Sequence, residues 1–423
     1  MQQFIDVFNL IVFLVFSIMY AYQVIYTIVG FIYRKPVHND APPKAFHRFG
    51  IIIAARNESA VIGELLRSIA NQNYPKDALD VFVIADNCTD NTAEIAREHG
   101  AFAYERNDTS AIGKGWALDF LFKKMIAEGR FDDYEGFCVL DADNLLDENF
   151  IAEMNKMFDQ GHRILTSYRN SKNYGANWIS AGYGLWFMRE ARYLNNPRMR
   201  LGASCAISGT GFLVHHDIIA KHDGWKHHLL TEDIEFTIDS VIDGEKVGYC
   251  EHAVLYDEQP TTMQQSWVQR LRWSKGFYQV ISHYGGRLWR NIFHGKGKVL
   301  SCFDMFMTVA PAYLVTVLTL TINLVVFIVA AITHMGAGLM WATGSAVVSA
   351  LASFYGVFLF MGTLTLITEW RNIKCPARKK IGYMFLFPCF LFTYVPISVV
   401  ALFKKVSWQP VEHTDVKTLD EVR

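Results

Sequence analysis

The stretch Gly50-Ile51-Ile52-Ile53-Ala54-Ala55-Arg56-Asn57-Glu58 decides the fold. A strand covered on both faces reads as a continuous apolar run closed by a polar turn. Gly50 to Ala55 is therefore a buried parallel strand, and Ser59 to Ser68 the helix after it. Asp80 to Ala85 is the next strand, and Asn91-Thr92-Ala93-Glu94 has the spacing of a capping box opening a second helix. Ala101 to Tyr104, a helix from about Gly115 to Glu128, and the run Phe137 to Leu140 continue the alternation. This order predicts an α/β fold, a doubly wound and mostly parallel sheet with right-handed crossovers. Ligands of such sheets bind beyond the carboxyl ends of the strands. Arg56-Asn57-Glu58, Asp86-Asn87 and Asp141-Ala142-Asp143 each follow a strand, so three polar clusters should meet in one crevice.

Outside this domain the chain is apolar. Residues 7–33, 305–333, 335–368 and 381–403 contain no Asp, Glu, Lys or Arg. A helix crosses the hydrocarbon core in about 20 residues, so each stretch is long enough to span. The first has no basic start and no small-x-small cleavage site, and reads as a retained anchor rather than a signal peptide. Arg34 and Lys35 follow it; Arg287, Arg290, Lys296 and Lys298 precede the second stretch; Arg371, Lys374, Arg378, Lys379 and Lys380 precede the last. Basic flanks mark the cytoplasmic side, which puts the middle domain in the cytosol of a multi-pass cell-membrane protein. Three crossings after that domain would leave the tail outside, against the inside character of Lys404 and Lys405; Pro388 and Pro396 offer a re-entrant hairpin as a way out. Net charge of −1 gives no electrostatic reason for nucleic-acid binding. Seven cysteines without a Cys-x-x-Cys pair fit a reducing face and provide neither a disulfide framework nor a zinc site.

The polar motifs are specific in combination. Asp141 and Asp143 are hard oxygen donors at a strand end, suited to Mg²⁺ or Mn²⁺ on a diphosphate, although Asp-x-Asp alone is common in turns. Lys114, between Gly113 and Gly115 at a helix start, suits phosphate; its ordinary alternative is a surface lysine. Thr231-Glu232-Asp233 opens a helix running Ile234 to Ile242, where acidic residues also serve simply to complement the dipole. Thr262 to His283 is amphipathic, as expected of a helix lying in the membrane interface, and carries Gln269, Arg272 and Trp273 on neighbouring faces. The run His215, His216, His222, His227, His228 lacks the acidic spacing of a zinc helix and is assigned no metal; His252 is a possible extra ligand with an ordinary polar role preferred.

Taken in order, Asp86, Asp141-Ala142-Asp143, Ser208-Gly209-Thr210, Thr231-Glu232-Asp233 and Gln269-Arg270-Leu271-Arg272-Trp273 resemble the motifs of membrane-bound family 2 glycosyltransferases, the cellulose, hyaluronan and poly-N-acetylglucosamine synthase type. The resemblance runs from about Ile51 to Trp273 and implies a GT-A-like fold inserted between transmembrane helices, with amphipathic interface helices. It also implies roles. Asp86 would lie near base and ribose with the Ala55, Arg56, Glu58 turn beside it; Lys114, Asp141 and Arg272 would hold the diphosphate, and Asp141 and Asp143 the metal. Gly209, Thr210, Glu232, Gln269 and Trp273 would form the acceptor side, with Asp233 as the base. Trp408 and His413 resemble a tail segment of some relatives, without a role.

The expected layout is an N-terminal span (1–33), a linker (34–48), a catalytic domain (49–260), interface helices (261–303), a membrane region of about three segments (304–403) and a tail (404–423). The function implied is inverting, processive transfer from a nucleotide-sugar, taken as a UDP-sugar, to a growing polysaccharide coupled to export. The alternatives are a single-addition glycolipid synthase acting on ceramide or diacylglycerol, and a non-catalytic nucleotide-binding membrane protein. The second leaves Asp233 and Trp273 without a task.

Overall fold

The computed structural model describes residues 2–33, 42–295, 298–310, 312–411 and 413–423. Arg34, Lys35, Pro36 and Lys296, and with them much of the linker, lie outside these residues. Helix α1 (Gln2–Ile32) precedes β1 (Phe49–Ala55), α2 (Ile62–Ala70), β2 (Leu79–Asp86), α3 (Thr92–Glu98), β3 (Phe102–Arg106), α4 (Lys114–Ala127) and β4 (Gly136–Asp141). Then come β5 (Leu145–Leu146), α5 (Phe150–Asp159), β6 (Ile164–Ser171) and α6 (Trp178–Glu190), joined by a π-helical turn, Ala191–Asn195, to α7 (Asn196–Arg200). β7 (Phe212–His215), α8 (His216–Ala220), α9 (Glu232–Asp243) and β8 (Val247–Asp257) follow.

The eight strands form one sheet in the order β3-β2-β1-β4-β7-β6-β8-β5. The β1–β2, β2–β3 and β1–β4 pairs are parallel, as the alternation predicts, and β6–β8, which the sequence reading did not reach, is parallel as well. Antiparallel β7 enters between β4 and β6 and was not visible in the sequence, being only four residues long. Successive residues of β1 serve opposite layers: Ile52 packs with Leu118 and Phe122 of α4, whereas Ile51 and Ile53 pack with Leu65 of α2 and Met154 of α5. That double burial is why the run is unbroken. From β1 the chain winds outward through β2 to β3, then returns so that β4 takes the other edge of β1. Such a reversal opens a crevice at the strand ends.

The capping box expected at Asn91 is not formed. Asn91 makes no side-chain cap, and Asp90 instead accepts from the Thr92 N–H (3.1 Å), the Thr92 hydroxyl (2.6 Å) and the Ser59 N–H (3.1 Å). One carboxylate thereby ties the β1 and β2 turns together.

The remaining helices are α10 (Met263–His294), α11 (Val299–Val309), α12 (Ala312–Ile332), α13 (Ala337–Thr368), α14 (Ala377–Phe392) and α15 (Tyr394–Phe403). The apolar stretch 305–333 is divided between α11 and α12, with Ala310 extended (φ −64°, ψ 131°) as expected before a proline. Nor does the last stretch fold into a hairpin. Pro388 lies inside α14, and Thr393 keeps helical angles (φ −63°, ψ −16°), so α14 runs on into α15.

Among the described residues, four segments are long and apolar enough to cross a membrane: Gln2–Ile32, Leu314–Ile332, Ala337–Thr368 and Ala377–Phe403. The first three are 6–11% buried over their most apolar windows, and the fourth 39%. That fourth segment is fastened along its length. Lys379 donates to the Gly175 carbonyl (2.8 Å), Gly182 of α6 admits the Phe390 ring, and buried Arg270 of α10 donates to the Phe390 carbonyl (3.1 Å) and the Thr393 hydroxyl (2.7 Å). Further on, Tyr278 donates to the Ser398 carbonyl (2.9 Å) and Lys275 to the Ala401 carbonyl (3.1 Å).

α1 is tied to the domain by a buried cluster. Arg198 of α7 grips Asp304 of α11 through two nitrogens (2.7 and 2.9 Å), and Tyr26 of α1 donates to the same carboxylate (2.9 Å). Both charged groups are essentially inaccessible. Removing one partner of such a pair strands a buried charge and costs about 3–5 kcal/mol. Asp304→Ala should therefore lower the thermal midpoint of the detergent-purified protein by that equivalent, whereas removing the exposed Arg97–Glu105 pair should cost about 1 kcal/mol or less.

Candidate functional site

The reversal in strand order brings the three clusters together. Ala55 pairs with Ala85 and Ala54 with Asp141, so the turns after β1 and β2 and the end of β4 are neighbours. Both turns need left-handed backbone, supplied by Asn57 (φ 57°) and Asn87 (φ 53°). Asn57 Oδ1 accepts the Thr89 N–H (2.7 Å), locking one turn to the other. Asp86 is buried and bound by Arg106 of β3 (2.6 Å) and by Asn87 (3.0 Å). Burial raises its pKa, against the pull of Arg106.

Asp141 closes β4. Its N–H donates to the Thr210 hydroxyl (2.8 Å), which in turn donates to Asn144 Oδ1 (2.6 Å). Thr210, expected on the acceptor side, thus spends its hydroxyl on the Asp141 turn. Lys114, at the start of α4, donates to Asp141 Oδ1 (2.5 Å) and to the Gly209 carbonyl (2.8 Å). Gly209 has φ +84°, and a Cβ there would stand 4.0 Å from Asp141 Oδ2 and 4.0 Å from Asp233 Oδ2. The two carboxylates read from separate motifs therefore face one small space, floored by a residue without a side chain.

Asp143 points deeper. Its oxygens accept from Asn144 (3.2 Å) and the Glu258 N–H (3.0 Å), and Asn144 also donates to Asp257 (3.1 Å). Arg169 of β6 grips Asp257 and donates to the Ser208 carbonyl (2.8 Å), while its guanidinium lies 3.8 Å from the Phe187 ring centroid. Arg169, Asp257 and Asn144 were missed in the sequence, as no short motif links them. The strand-end position of Arg106 was a usable signal.

The tail comes back to the same crevice. Arg56 lies 5.4 Å from the Trp408 ring centroid, His413 Nδ1 is 3.1 Å from both Glu58 oxygens, and His413 Nε2 is 4.0 Å from Asp143. Glu258 accepts the N–H groups of Thr414 and Asp415 (both 3.1 Å). Burial opposes the charged imidazole of His413, but Asp143, Glu58 and Glu258 outweigh it and raise its pKa to about 10. Burial pushes Glu58 up as well. Trp408 and His413, without a role in the sequence, belong to this site.

On the other side stand Glu232 and Asp233 at the start of α9. Burial, then the neighbouring Asp233, pushes Glu232 to about 7; burial raises Asp233, which Arg272 and Lys114 partly oppose. Arg272 donates to the Leu230 carbonyl (3.0 Å). Trp273 meets Tyr183 and Phe187 of α6 edge-on (centroids 5.8 and 6.3 Å), forming one aromatic wall. Gln269 Oε1 is buried and has no hydrogen-bond partner.

Two histidine groups have the proximity of metal ligands: His215, His216 and Asp217, and His222, Asp239 and Asp243. In the second, Asp239 and Asp243 already carry Lys226, His227, Arg287 and Lys221. His252 lies on β8 and lines a separate cavity.

Comparison with known proteins identifies the family and the fold. The family described as "Glycosyltransferase like family 2" matches residues 47–276, and the chain belongs to it. It is 26% identical over 299 residues to the beta-monoglucosyldiacylglycerol synthase of Trichormus variabilis, covering 68% of this chain and 60% of that one. It is 24% identical over 271 residues to the poly-beta-1,6-N-acetyl-D-glucosamine synthase of Staphylococcus epidermidis, covering 61% and 63%. The matches thus take in about three fifths of the length of these curated relatives. The mannosyltransferase PcManGT from Pyrobaculum calidifontis, solved with GDP-Man and Mn²⁺, shares the fold over 92% of this chain and 98% of its own, with a TM-score of 0.53 and 15% identity.

The raised carboxyls can be tested directly. Infrared titration should reveal protonated carboxyl absorption that disappears as pH rises through about 7, from Glu232 and Asp257. Glu232→Gln should remove one component and leave the other; an unchanged spectrum would contradict the raised Glu232.

Proposed function

We propose that this chain is an inverting hexosyltransferase that moves a sugar from a nucleotide-sugar to an acceptor hydroxyl at a membrane surface. The observation that carries the reading is the meeting of Asp141 and Asp233 across Gly209, with Lys114 between the first of them and the Gly209 carbonyl. Asp86, Ala55, Arg56 and Glu58 lie where the nucleoside would rest. Lys114, the α4 N-terminus and Arg272 supply positive charge for a departing diphosphate. Asp233 takes the proton of the attacking hydroxyl, and Trp273 with Tyr183 and Phe187 offers a face for the acceptor sugar.

Asp141 and Asp143 suit Mg²⁺ or Mn²⁺. Both are hard oxygen donors, and the cations Lys114 and His413 already lean on them. A bound divalent ion would neutralise charge accumulating on the leaving diphosphate. Burial raises the pKa of both Asp233 and Glu232, which favours base function toward higher pH.

For topology, the reading is a cytosolic catalytic domain with α1, α12 and α13 crossing the membrane and α14–α15 lying along the inner interface. It is supported by contacts at both ends of α14–α15. The segment starts against Gly175, and the residues after it reach Arg56 and Glu58. On this reading a segment with both ends on one domain stays on one side, and Lys404 and Lys405 lie inside as their basic character suggests.

Polysaccharide extension is the first acceptor reading, supported by the aromatic wall at Trp273. The second is single addition to a lipid, favoured by the low burial (6–11%) of the three crossing helices, which enclose little between them. Product size separates them: a ladder on a gel means polymer, one added sugar means glycolipid.

Asp233→Asn should lower sugar transfer by about 10²–10⁴-fold with nucleotide-sugar binding retained. Near-normal turnover would remove Asp233 from the role. The wild-type rate should fall as pH drops below about 7, in step with Glu232, and chelation should abolish transfer until Mg²⁺ or Mn²⁺ is restored.

A further inference from the structure

A cavity of about 570 Å³ lies away from the crevice, between β6, β8 and the end of α13. Ile367 and Thr368, in its wall, form the last turn of α13. Arg192, also in its wall, sits in the π-helical turn, and its carbonyl would be 2.6 Å from a Cβ on Gly30 of α1. The cavity thus opens where two long apolar helices meet the sheet domain.

Its charges are unevenly satisfied. Glu251 accepts from Arg192 (3.0 Å) and Asn196 (2.9 Å), and Glu369 accepts from Tyr168 and Asn372 (both 2.7 Å). Arg423 spends both terminal nitrogens on Asp147 and Glu148. The carboxylates of the wall are therefore engaged. Arg371 and Lys374 are exposed in the same wall and have no hydrogen bond or ion pair among the described residues. Arg192 is only 7% exposed, yet its Nε has no hydrogen-bond partner among the described residues. A buried guanidinium N–H without an acceptor is costly, and a phosphate oxygen is the acceptor its planar fork suits best. Basic pockets between membrane helices on the cytoplasmic side take anionic lipid headgroups.

We propose that this cavity binds the phosphate headgroup of an anionic phospholipid, held by Arg192, Arg371 and Lys374. The proposal rests on the membrane topology above, not on the sugar-transfer reading. The ligand chemistry is a phosphate mono- or diester, and a free phosphate is the other source of it.

The test is calorimetric titration of the detergent-purified full chain with dihexanoyl phosphatidylglycerol, dihexanoyl phosphatidylcholine and inorganic phosphate. Phosphatidylglycerol should bind, and phosphatidylcholine should bind about tenfold or more weakly. The surface variant R371Q/K374Q, which touches neither the core nor the crevice, should lose about tenfold in phosphatidylglycerol affinity. Equal affinity for both lipids, or no loss in the variant, overturns the proposal. Inorganic phosphate binding as tightly as phosphatidylglycerol, with the same loss in the variant, overturns the lipid source and leaves a free-phosphate site. Alkaline carbonate extraction of membranes checks the topology separately: release of the protein would defeat the spanning helices whatever the titration gives.

Discussion

Six carboxylates share one crevice or its floor: Glu58, Asp141, Asp143, Glu232, Asp233 and Asp257. Like charges at this density repel, and the low dielectric of a buried site strengthens the repulsion. Much of the surrounding structure answers that constraint. Lys114 stands on Asp141, Arg169 on Asp257 and His413 between Glu58 and Asp143, while Arg272 and Lys114 oppose the burial of the α9 pair. What cannot be compensated by a cation is left partly protonated, as at Glu232. On the proposed reading, the same imbalance would make the crevice receptive to a divalent ion and dispose one carboxylate to accept a proton. Charge crowding is therefore both the main cost of the site and the source of its chemistry.

The second organising contact is mechanical. Arg198, Asp304 and Tyr26 join the sheet domain to α11 and α1, and Arg270 joins α10 to α14 and Thr393. These are buried charges at the junction of an α/β domain with apolar helices, each satisfied by several partners. They fix α10, and with it Arg272 and Trp273, against the domain that carries Asp233.

Where local chemistry coincided with a strand or helix end, the sequence was informative. Asp86, Lys114, Asp141 and Asp233 all occupy such ends, and the fold brings Lys114, Asp141 and Asp233 around Gly209. The long helix bearing Arg272 and Trp273 was legible from its amphipathic period. What could not be read depends on contacts between distant segments. Arg169 meets Asp257 88 residues on, and His413 meets Glu58 355 residues back. The bond from the Asp141 N–H to the Thr210 hydroxyl likewise joins segments 69 residues apart. The Asn91 box failed because the adjacent Asp90 is the stronger acceptor and reaches both turns. The split of 305–333 follows the extended residue before a proline, and the helical passage through Thr393 goes with the grip of Arg270 on Phe390 and Thr393, neither of which hydropathy alone encodes.

The fastening of α14–α15 against α6 and α10 has a geometric corollary. With the rod clamped from Gly175 to Ala401 and α1 pinned through Tyr26, the proposed topology would hold the candidate pocket at one attitude to the lipid plane. Its height above the leaflet becomes a built-in ruler. On the proposed reading, only an acceptor whose hydroxyl projects to that altitude would reach Asp233, and selection among membrane-borne molecules would begin with their stature before any sugar is recognised.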